Sequence, residues 1–191
     1  QPMLFSATPP PPILELAHRY MLYPKEFRID TGTKVPEGIV QVFYHCPHGR
    51  KIDMLRAILK TESPSKALIF TATKVSTSEI ARRLRSDGHE VYPISSNLRQ
   101  ADRERVLDGF RQGTIRMLVA TDVAARGIDI DDISHVINLE LPTEPEDYVH
   151  RIGRTGRLER SGRAISLVEP RDESSLRQIE RLLGGRFEAG V

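Results

Sequence analysis

The sequence has a single cysteine, Cys46, and contains no long apolar run. One cysteine cannot form a disulfide within the chain, and it leaves no thiolate cluster for zinc or an iron–sulfur centre. No stretch approaches the roughly 20 apolar residues of a membrane helix, and the first residues lack the basic-then-apolar pattern of a signal peptide. We therefore expect a cytoplasmic protein with no membrane partner.

Lysine is also scarce. Six of the 28 basic residues are lysines and 22 are arginines, while 26 acidic residues bring the formal net charge to only +2. A GC-rich or thermophilic source would by itself favour arginine. Arginine is also the side chain whose planar fork binds phosphate at two points. Composition leaves both explanations open, because only the positions of the arginines can separate them.

The chain of 191 residues, 39% apolar and 28% charged, is typical of one globular domain with some chain to spare. Residues 1–38 differ from the rest, because four consecutive prolines at 9–12 precede a polar stretch interrupted by further proline and glycine. A helix is predicted just after the four prolines. We interpret 1–38 as the end of a preceding domain plus a linker, 39–185 as one α/β domain, and 186–191 as a tail.

Within 39–185, short apolar or β-branched runs alternate with helical patterns. Strands are predicted at 39–46, 67–70, 91–94, 117–120, 135–139 and 164–168. Helices are predicted at 52–60, 76–86, 100–111, 144–152 and 173–183. This alternation favours βαβ units and a parallel sheet covered by helices on both faces. Ligands of such sheets bind at the carboxyl ends of the strands, so the residues that follow each strand are the candidates for a site.

Small polar residues follow the second and third predicted strands. Thr71 opens the segment Thr-Ala-Thr-Lys, whose hydroxyls and backbone N–H groups suit a phosphate, although a threonine there is also an ordinary helix cap. Arg103 lies on the first turn of the next helix. It could reach a nucleic-acid phosphate, or it could be one charge of a solvated helix face. Neither segment alone decides between these readings.

The segment after the fourth predicted strand is more specific. Thr121 and Asp122 can cap a short helix, and Gly127 allows the positive φ that reverses the chain. Arg126 and Asp129 are then expected to lie close together at the carboxyl end of this strand. An aspartate at a strand end is suited to accept hydrogen bonds from ribose hydroxyls. The alternative is a structural salt bridge between Arg126 and an acidic neighbour.

Arginines are most concentrated after the fifth predicted strand. Arg151, Arg154 and Arg157 are spaced three apart, and glycine precedes the last two. Glycine in a helix interior costs about 1 kcal/mol relative to alanine, so Gly153 and Gly156 indicate a backbone that passes close to another group. Clustered cations repel one another unless a polyanion lies among them. The segment therefore favours phosphate binding.

Together these segments resemble the C-terminal RecA-like domain of a DEAD-box RNA helicase. Residues 150–157 (HRIGRTGR) match motif VI in full, and residues 120–129 (ATDVAARGID) match motif V. Shorter segments agree with motif IV, the QxxR motif and motif III: 68–71, Gln100 with Arg103, and 4–8. The resemblance covers nearly the whole chain. It implies an α/β fold, a RecA-like three-layer sandwich with a mostly parallel sheet and helices on both faces.

The resemblance also implies roles for individual residues. ATP would bind between this domain and a preceding RecA-like domain, which would hold most of the Mg²⁺ ligands, and RNA would lie across both; no metal ligand is expected in this chain. Arg154 and Arg157 would be arginine fingers at the γ-phosphate, and Asp129 would bind the ATP ribose. The implied RNA-binding residues are Thr71, Arg103, Thr121, Arg126 and Gly127. The residues implied to couple ATP hydrolysis to RNA unwinding are Ser6, Thr8, His150 and Arg151.

The sequence departs from this family in two respects. Where members often carry His-Gly-Asp, this chain has Ser95-Ser96-Asn97, so we assign no contact to Ser95 or Ser96. The chain also contains neither GxxxxGKS/T nor Asp-Glu-Ala-Asp, the segments that cradle phosphate and hold magnesium. We expect half of an ATP-hydrolysing acid-anhydride hydrolase that is inactive alone. The alternatives are a non-catalytic RNA-binding or protein-interaction module, and a DNA helicase, which the HRIGRTGR form of motif VI disfavours.

The isolated chain is expected to bind ATP weakly or undetectably, because the phosphate-cradling segment is missing from it. Isothermal titration calorimetry of ATP into the chain alone measures this. Tight binding in the absence of any partner domain would contradict a nucleotide site split between two domains.

Overall fold

The computed structural model describes residues 2–5, 11–27, 35, 38–125, 128, 130, 132–156 and 161–185. The chain divides into two units, one within 1–32 and one within 33–191. Most of the predicted linker and all of the predicted tail 186–191 lie outside the described residues, so the boundary after residue 38 stays a prediction.

The first unit contains the predicted helix, α1 (Pro11–Tyr20), but it begins at the third of the four prolines and not after them. Proline suits the first position of a helix, since its fixed φ is already helical and its missing N–H is not needed there. The large apolar side chains of the described part of this unit are mostly exposed: Met3, Leu4, Phe5, Ile13, Leu16, Tyr20, Leu22, Tyr23 and Phe27. Across the described residues of both units, no helix is long and apolar enough to cross a membrane.

Six strands of the second unit form one sheet in the order β1-β6-β5-β2-β4-β3. The strands are β1 (Ile39–His45), β2 (Ala67–Phe70), β3 (Val91–Ile94), β4 (Met117–Ala120), β5 (His135–Asn138) and β6 (Gly162–Val168). Every pair of neighbouring strands is parallel. The parallel sheet predicted from the alternating pattern is confirmed, and β2, β3 and β4 have the predicted bounds.

Helices lie on both faces of the sheet. They are α2 (Lys51–Glu62), α3 (Lys74–Ser86), α4 (Gln100–Gln112), α5 (Asp122–Ala125), α6 (Pro145–Ile152) and α7 (Glu173–Leu183), with a 3₁₀ turn at Pro170–Asp172. Helices α2 to α6 connect successive strands, and α7 follows β6. On β2, Ala67 and Ile69 pack with α2 and α3, whereas Leu68 and Phe70 pack with α4 and α5. Because side chains alternate along a strand, a fully buried strand needs cover on both faces. The predicted three-layer α/β sandwich is confirmed.

The start of β6 passes close to the chain that leaves α6. Thr155 forms a parallel bridge with Ile133, and its hydroxyl donates a hydrogen bond to the Ile133 carbonyl. A Cβ atom at Gly162 would lie 2.7 Å from Thr155 Cγ2, and still closer to Thr155 Oγ1 and to the backbone nitrogen of Gly156. Carbon atoms do not approach that closely without displacing something, so only glycine fits at 162 in this arrangement.

We expect Gly162→Ala to destabilise the protein by about 1–3 kcal/mol, because the added methyl must push apart backbone that cannot yield cheaply. Chemical denaturation measures the change in the free energy of unfolding. Gly185→Ala is the matched control, since a Cβ there would meet no atom within 4 Å. Equal stability of the two variants would show that β6 tolerates the methyl group.

Candidate functional site

The carboxyl ends of β2, β4 and β5 lie side by side at one edge of the sheet. β2 pairs in parallel with both other strands, and Phe70 is in register with Ala120 on one side and Asn138 on the other. The segments that follow these strands begin with Thr71, Thr121 and the Leu139–Glu140 pair. The parallel topology thus brings segments that are distant in sequence to a single edge, as ligand sites of this architecture require.

Arg151, near the end of α6, lies at the centre of this edge and is only 3% exposed. Its Nε and Nη2 donate to the two carboxylate oxygens of Asp122 at 2.6 and 2.8 Å. Its Nη1 donates to Asn138 Oδ1 at 3.1 Å and to the main-chain oxygen of Glu140 at 2.7 Å. The guanidinium carbon lies 4.8 Å from the centre of the Phe70 ring. One buried cation therefore joins the segments that end or follow three strands.

This network satisfies the buried charge. A buried ion is costly unless its partner and its remaining hydrogen-bond positions are all filled, and the bidentate fork is the strongest such geometry. Asn138, itself fully buried, extends the network by donating from Nδ2 to Ser166 Oγ at 3.0 Å. Arg151 is thus a framework residue of this edge, and its predicted coupling role stays a prediction.

α6 is anchored from its other side by Tyr148. The ring is fully buried and stacks on Phe43, with ring centres 5.8 Å apart. Its hydroxyl donates to Gln41 Oε1 at 2.8 Å. Burial raises the pKa of the Tyr148 phenol well above its ordinary value, so the hydroxyl remains a neutral hydrogen-bond donor. The helix that carries the arginines is therefore attached to β1 as well as to the carboxyl edge.

Arg154 lies just beyond the end of α6. Its backbone nitrogen donates to the Arg151 carbonyl at 3.0 Å, and its Nη1 donates to the Ile128 carbonyl at 3.0 Å. The side chain is half-buried, against the segment that follows α5. Six other predicted site residues lie outside the described residues: Ser6, Thr8, Arg126, Gly127, Asp129 and Arg157.

Gly153 and Gly156, the two glycines of this segment, have different backbone conformations. Gly153 has an ordinary φ of −65° and ends α6, where its nitrogen bonds to the Val149 carbonyl. Gly156 has a φ of +69°, a conformation that glycine adopts without strain. Only Gly156 therefore needs glycine for its backbone conformation.

In the β2–α3 segment, the helix cap is Thr73 and not Thr71. The Thr73 hydroxyl accepts a hydrogen bond from the Ser76 nitrogen at 3.0 Å. Thr71 is fully buried, and its hydroxyl lies 2.7 Å from that of Thr77. The Thr71 side chain faces the interior of the protein, so its assignment as an RNA contact remains untested and draws no support from its side-chain geometry.

The other described candidates take part in the same edge. Arg103 donates from Nη2 to the Ala124 carbonyl at 2.9 Å, which joins α4 to α5. Thr121 is nearly buried, and its hydroxyl accepts from the Ala124 nitrogen at 3.4 Å. His150 is exposed, with Nδ1 3.7 Å from Asp147 Oδ1. Their functional roles remain predictions.

Sequence reasoning missed three residues of this edge. The sequence indicates Asp122 only as a helix cap and assigns no role to Asn138 or Glu140. Glu140 uses its main-chain oxygen for Arg151, and its Oε2 accepts a hydrogen bond from the Ala72 nitrogen. Asn138 does carry a signal, because it is a polar residue that directly follows the apolar pair Val136–Ile137 at the carboxyl end of β5. Among the described residues, no group of three or more His, Cys, Asp or Glu is arranged to hold a metal ion.

Arg151→Met is expected to lower the free energy of unfolding by about 2–4 kcal/mol, because it leaves the half-buried Asp122 carboxylate without its counter-ion and the buried Asn138 Oδ1 without its donor. Chemical denaturation of the chain measures this.

Two variants control the experiment. Arg105→Ala removes an exposed arginine that is paired with Asp102 at 3.3 Å, and it should cost less than about 1 kcal/mol. The double variant Asp122→Ala/Arg151→Met removes both charges and should recover part of the loss. If Arg151→Met were as mild as Arg105→Ala, the Arg151 network would not stabilise the fold.

Comparison with known proteins identifies relatives of the whole chain. The model of the helicase conserved C-terminal domain family matches residues 50–159. The RNA helicase CrhR of Synechocystis sp. is 43% identical over 189 residues, which cover 98% of this chain and 38% of CrhR. The DEAD-box ATP-dependent RNA helicase CshA of Bacillus subtilis is 41% identical over 181 residues, covering 95% of this chain and 37% of CshA. The chain therefore spans less than two-fifths of the length of these relatives.

A solved structure agrees with the sequence matches. Dbp5 of S. cerevisiae bound to RNA and ADP BeF3 aligns with a TM-score of 0.80 at 33% identity. The alignment covers 98% of this chain and 50% of that chain.

Proposed function

Because the chain belongs to the family of helicase conserved C-terminal domains, in its DEAD-box RNA helicase group, we propose that it is the second motor domain of an ATP-dependent RNA helicase. The observation that carries this proposal is the buried Arg151 network. It fixes α6, so that Arg154 emerges at the same edge of the sheet as the segments that are candidates for RNA binding. The similarity to about half of a chain that binds RNA and ADP BeF3 supports the same conclusion.

The nucleotide part of the proposal assigns Arg154 and Arg157 as arginine fingers and Asp129 as the ribose contact. Phosphoryl transfer builds negative charge on the equatorial oxygens, and such fingers contribute about 10³–10⁵ in rate. ATP would lie between this domain and its own N-terminal RecA-like domain, which would hold Mg²⁺ and the phosphates. This chain alone is therefore not catalytic.

The RNA part of the proposal uses the carboxyl edge of the sheet. The residues assigned to RNA are Thr71, Arg103, Thr121, Arg126 and Gly127. Contacts with the sugar–phosphate backbone carry no base information, so binding is largely independent of sequence and weakens as salt rises. The bond between Arg103 and the Ala124 carbonyl holds α4 against α5, which supports a shared RNA surface from these two helices.

Coupling is assigned to Ser6 and Thr8 in the first unit and to His150 and Arg151 on α6. We also propose that residues 1–38 are the end of the preceding motor domain plus a linker, that 39–185 form the second domain, and that 186–191 are a tail. The exposed apolar side chains of the first unit support its origin in a larger domain. A cytoplasmic location completes the proposal.

Arg154→Ala and Arg157→Ala are expected to lower RNA-stimulated ATP turnover by about 10³-fold or more, because each removes positive charge from the transferring phosphoryl group. The measurement is the steady-state ATPase activity of the longer protein that contains both this chain and the proposed preceding motor domain.

Arg105→Ala provides the control, since Arg105 is an exposed arginine of α4 with an ion pair to Asp102. Its turnover should equal that of the unmodified protein. Near-normal turnover of both finger variants would contradict the arginine-finger assignment. Equal stimulation by RNA and by DNA would contradict the assignment as an RNA helicase.

A further inference from the structure

We propose that Glu140 is a positioning residue that connects the arginine segment of α6 to the loop between β2 and α3, which contains Thr71, a residue that the proposed function assigns to RNA. This inference rests on the proposed function. Glu140 is half-buried and has two partners in different segments. Its main-chain oxygen accepts from Arg151 Nη1 at 2.7 Å, and its side-chain Oε2 accepts from the Ala72 nitrogen.

These bonds form a continuous path between the two parts of the site. The Arg154 nitrogen donates to the Arg151 carbonyl at 3.0 Å, Arg151 donates to the Glu140 main chain, and the Glu140 carboxylate accepts from Ala72. Ala72 immediately precedes Thr73, the cap of α3. A shift of α6 that moves Arg151 would therefore also displace the start of α3, because each link is a direct hydrogen bond.

The Glu140 carboxylate is the hydrogen-bond acceptor of the Ala72 N–H. The neighbouring backbone donors have other partners: the Thr71 nitrogen bonds to the Ala120 carbonyl at 2.9 Å, and the Thr73 nitrogen bonds to Ser76 Oγ at 3.2 Å. A carboxylate that accepts from an N–H makes a stronger bond than a neutral acceptor does. Loss of the Glu140 side chain would leave the exposed Ala72 N–H to water and loosen the loop.

The same contact has a rival interpretation, in which the Glu140 carboxylate competes with an RNA phosphate for the Ala72 N–H. Positioning is favoured because the Glu140 main chain is held by Arg151, which is itself buried and bonded to Asp122. The carboxylate is therefore placed by the framework rather than by a mobile segment. The two interpretations predict opposite effects on RNA binding.

The test compares Glu140→Ala with Glu140→Gln in the encoded protein that includes the preceding motor domain. The readouts are the ratio of RNA-stimulated to RNA-free ATP turnover and the RNA concentration that gives half-maximal stimulation. Glu140→Ala should lower the ratio, or raise that concentration, about 5–10-fold. Glu140→Gln keeps an oxygen acceptor and should stay within about twofold of the unmodified protein.

Glu79→Ala is the matched control. It removes the same charge from an exposed carboxylate that is paired with Arg83 on α3, and it should change neither readout. Tighter RNA binding by both Glu140 variants would overturn positioning in favour of competition. Unchanged readouts in Glu140→Ala, or equal loss in Glu140→Gln, would also overturn the proposal.

Amide hydrogen exchange of the chain alone tests the contact independently of any activity. Glu140→Ala should speed exchange in residues 71–73, whereas Glu140→Gln should not. Unchanged exchange in Glu140→Ala would overturn the positioning role. Absence of RNA-stimulated turnover in the unmodified protein would instead contradict the proposed function, so the two failures are distinguishable.

Discussion

The carboxyl edge of the sheet depends on the ion pair between the buried Arg151 and the half-buried Asp122. A guanidinium that is 3% exposed needs hydrogen-bond partners within the protein, and the partners of Arg151 are Asp122, Asn138 and Glu140, which end or follow different strands. These partners can meet only when β2, β4 and β5 end in register. The ion pair therefore links the parallel topology of the sheet to the geometry of the site, because separation of these strand ends would leave the charge of Arg151 uncompensated.

The arginines of this chain occupy two kinds of position, at the carboxyl edge of the sheet and on exposed helix faces. Arg151 is buried and holds together the segments at the carboxyl edge. Arg154 is half-buried and lies just beyond the end of α6. Several other arginines pair with an acidic residue three or four positions away on an exposed helix face: Arg83 with Glu79, Arg105 with Asp102 and Arg111 with Asp108. Exposed pairs of this kind contribute little to stability. These surface arginines therefore give no indication of a ligand, whereas Arg151 and Arg154 lie at the carboxyl edge of the sheet.

Most of the fold could be predicted from the sequence because the core strands are short, fully buried apolar runs between polar segments. The ends of the elements were less predictable. α3 begins two residues early because Thr73 caps it from outside the apolar pattern, and β6 begins two residues early because Gly162 pairs with Ile39. Both differences arise from individual hydrogen bonds or strand pairing, which hydrophobic periodicity does not report.

The sequence by itself determined the order of strands and helices and the segments that lie at the carboxyl edge, because local periodicity and strand-end position are properties of neighbouring residues. Only the tertiary structure decided which arginine is buried, which threonine caps the helix and which carboxylate joins the two parts of the site. Arg151 and Asp122 are 29 positions apart, and Glu140 and Ala72 are 68 apart. The partner of a charge at such a distance is set by how the strands pack, and no local pattern encodes it.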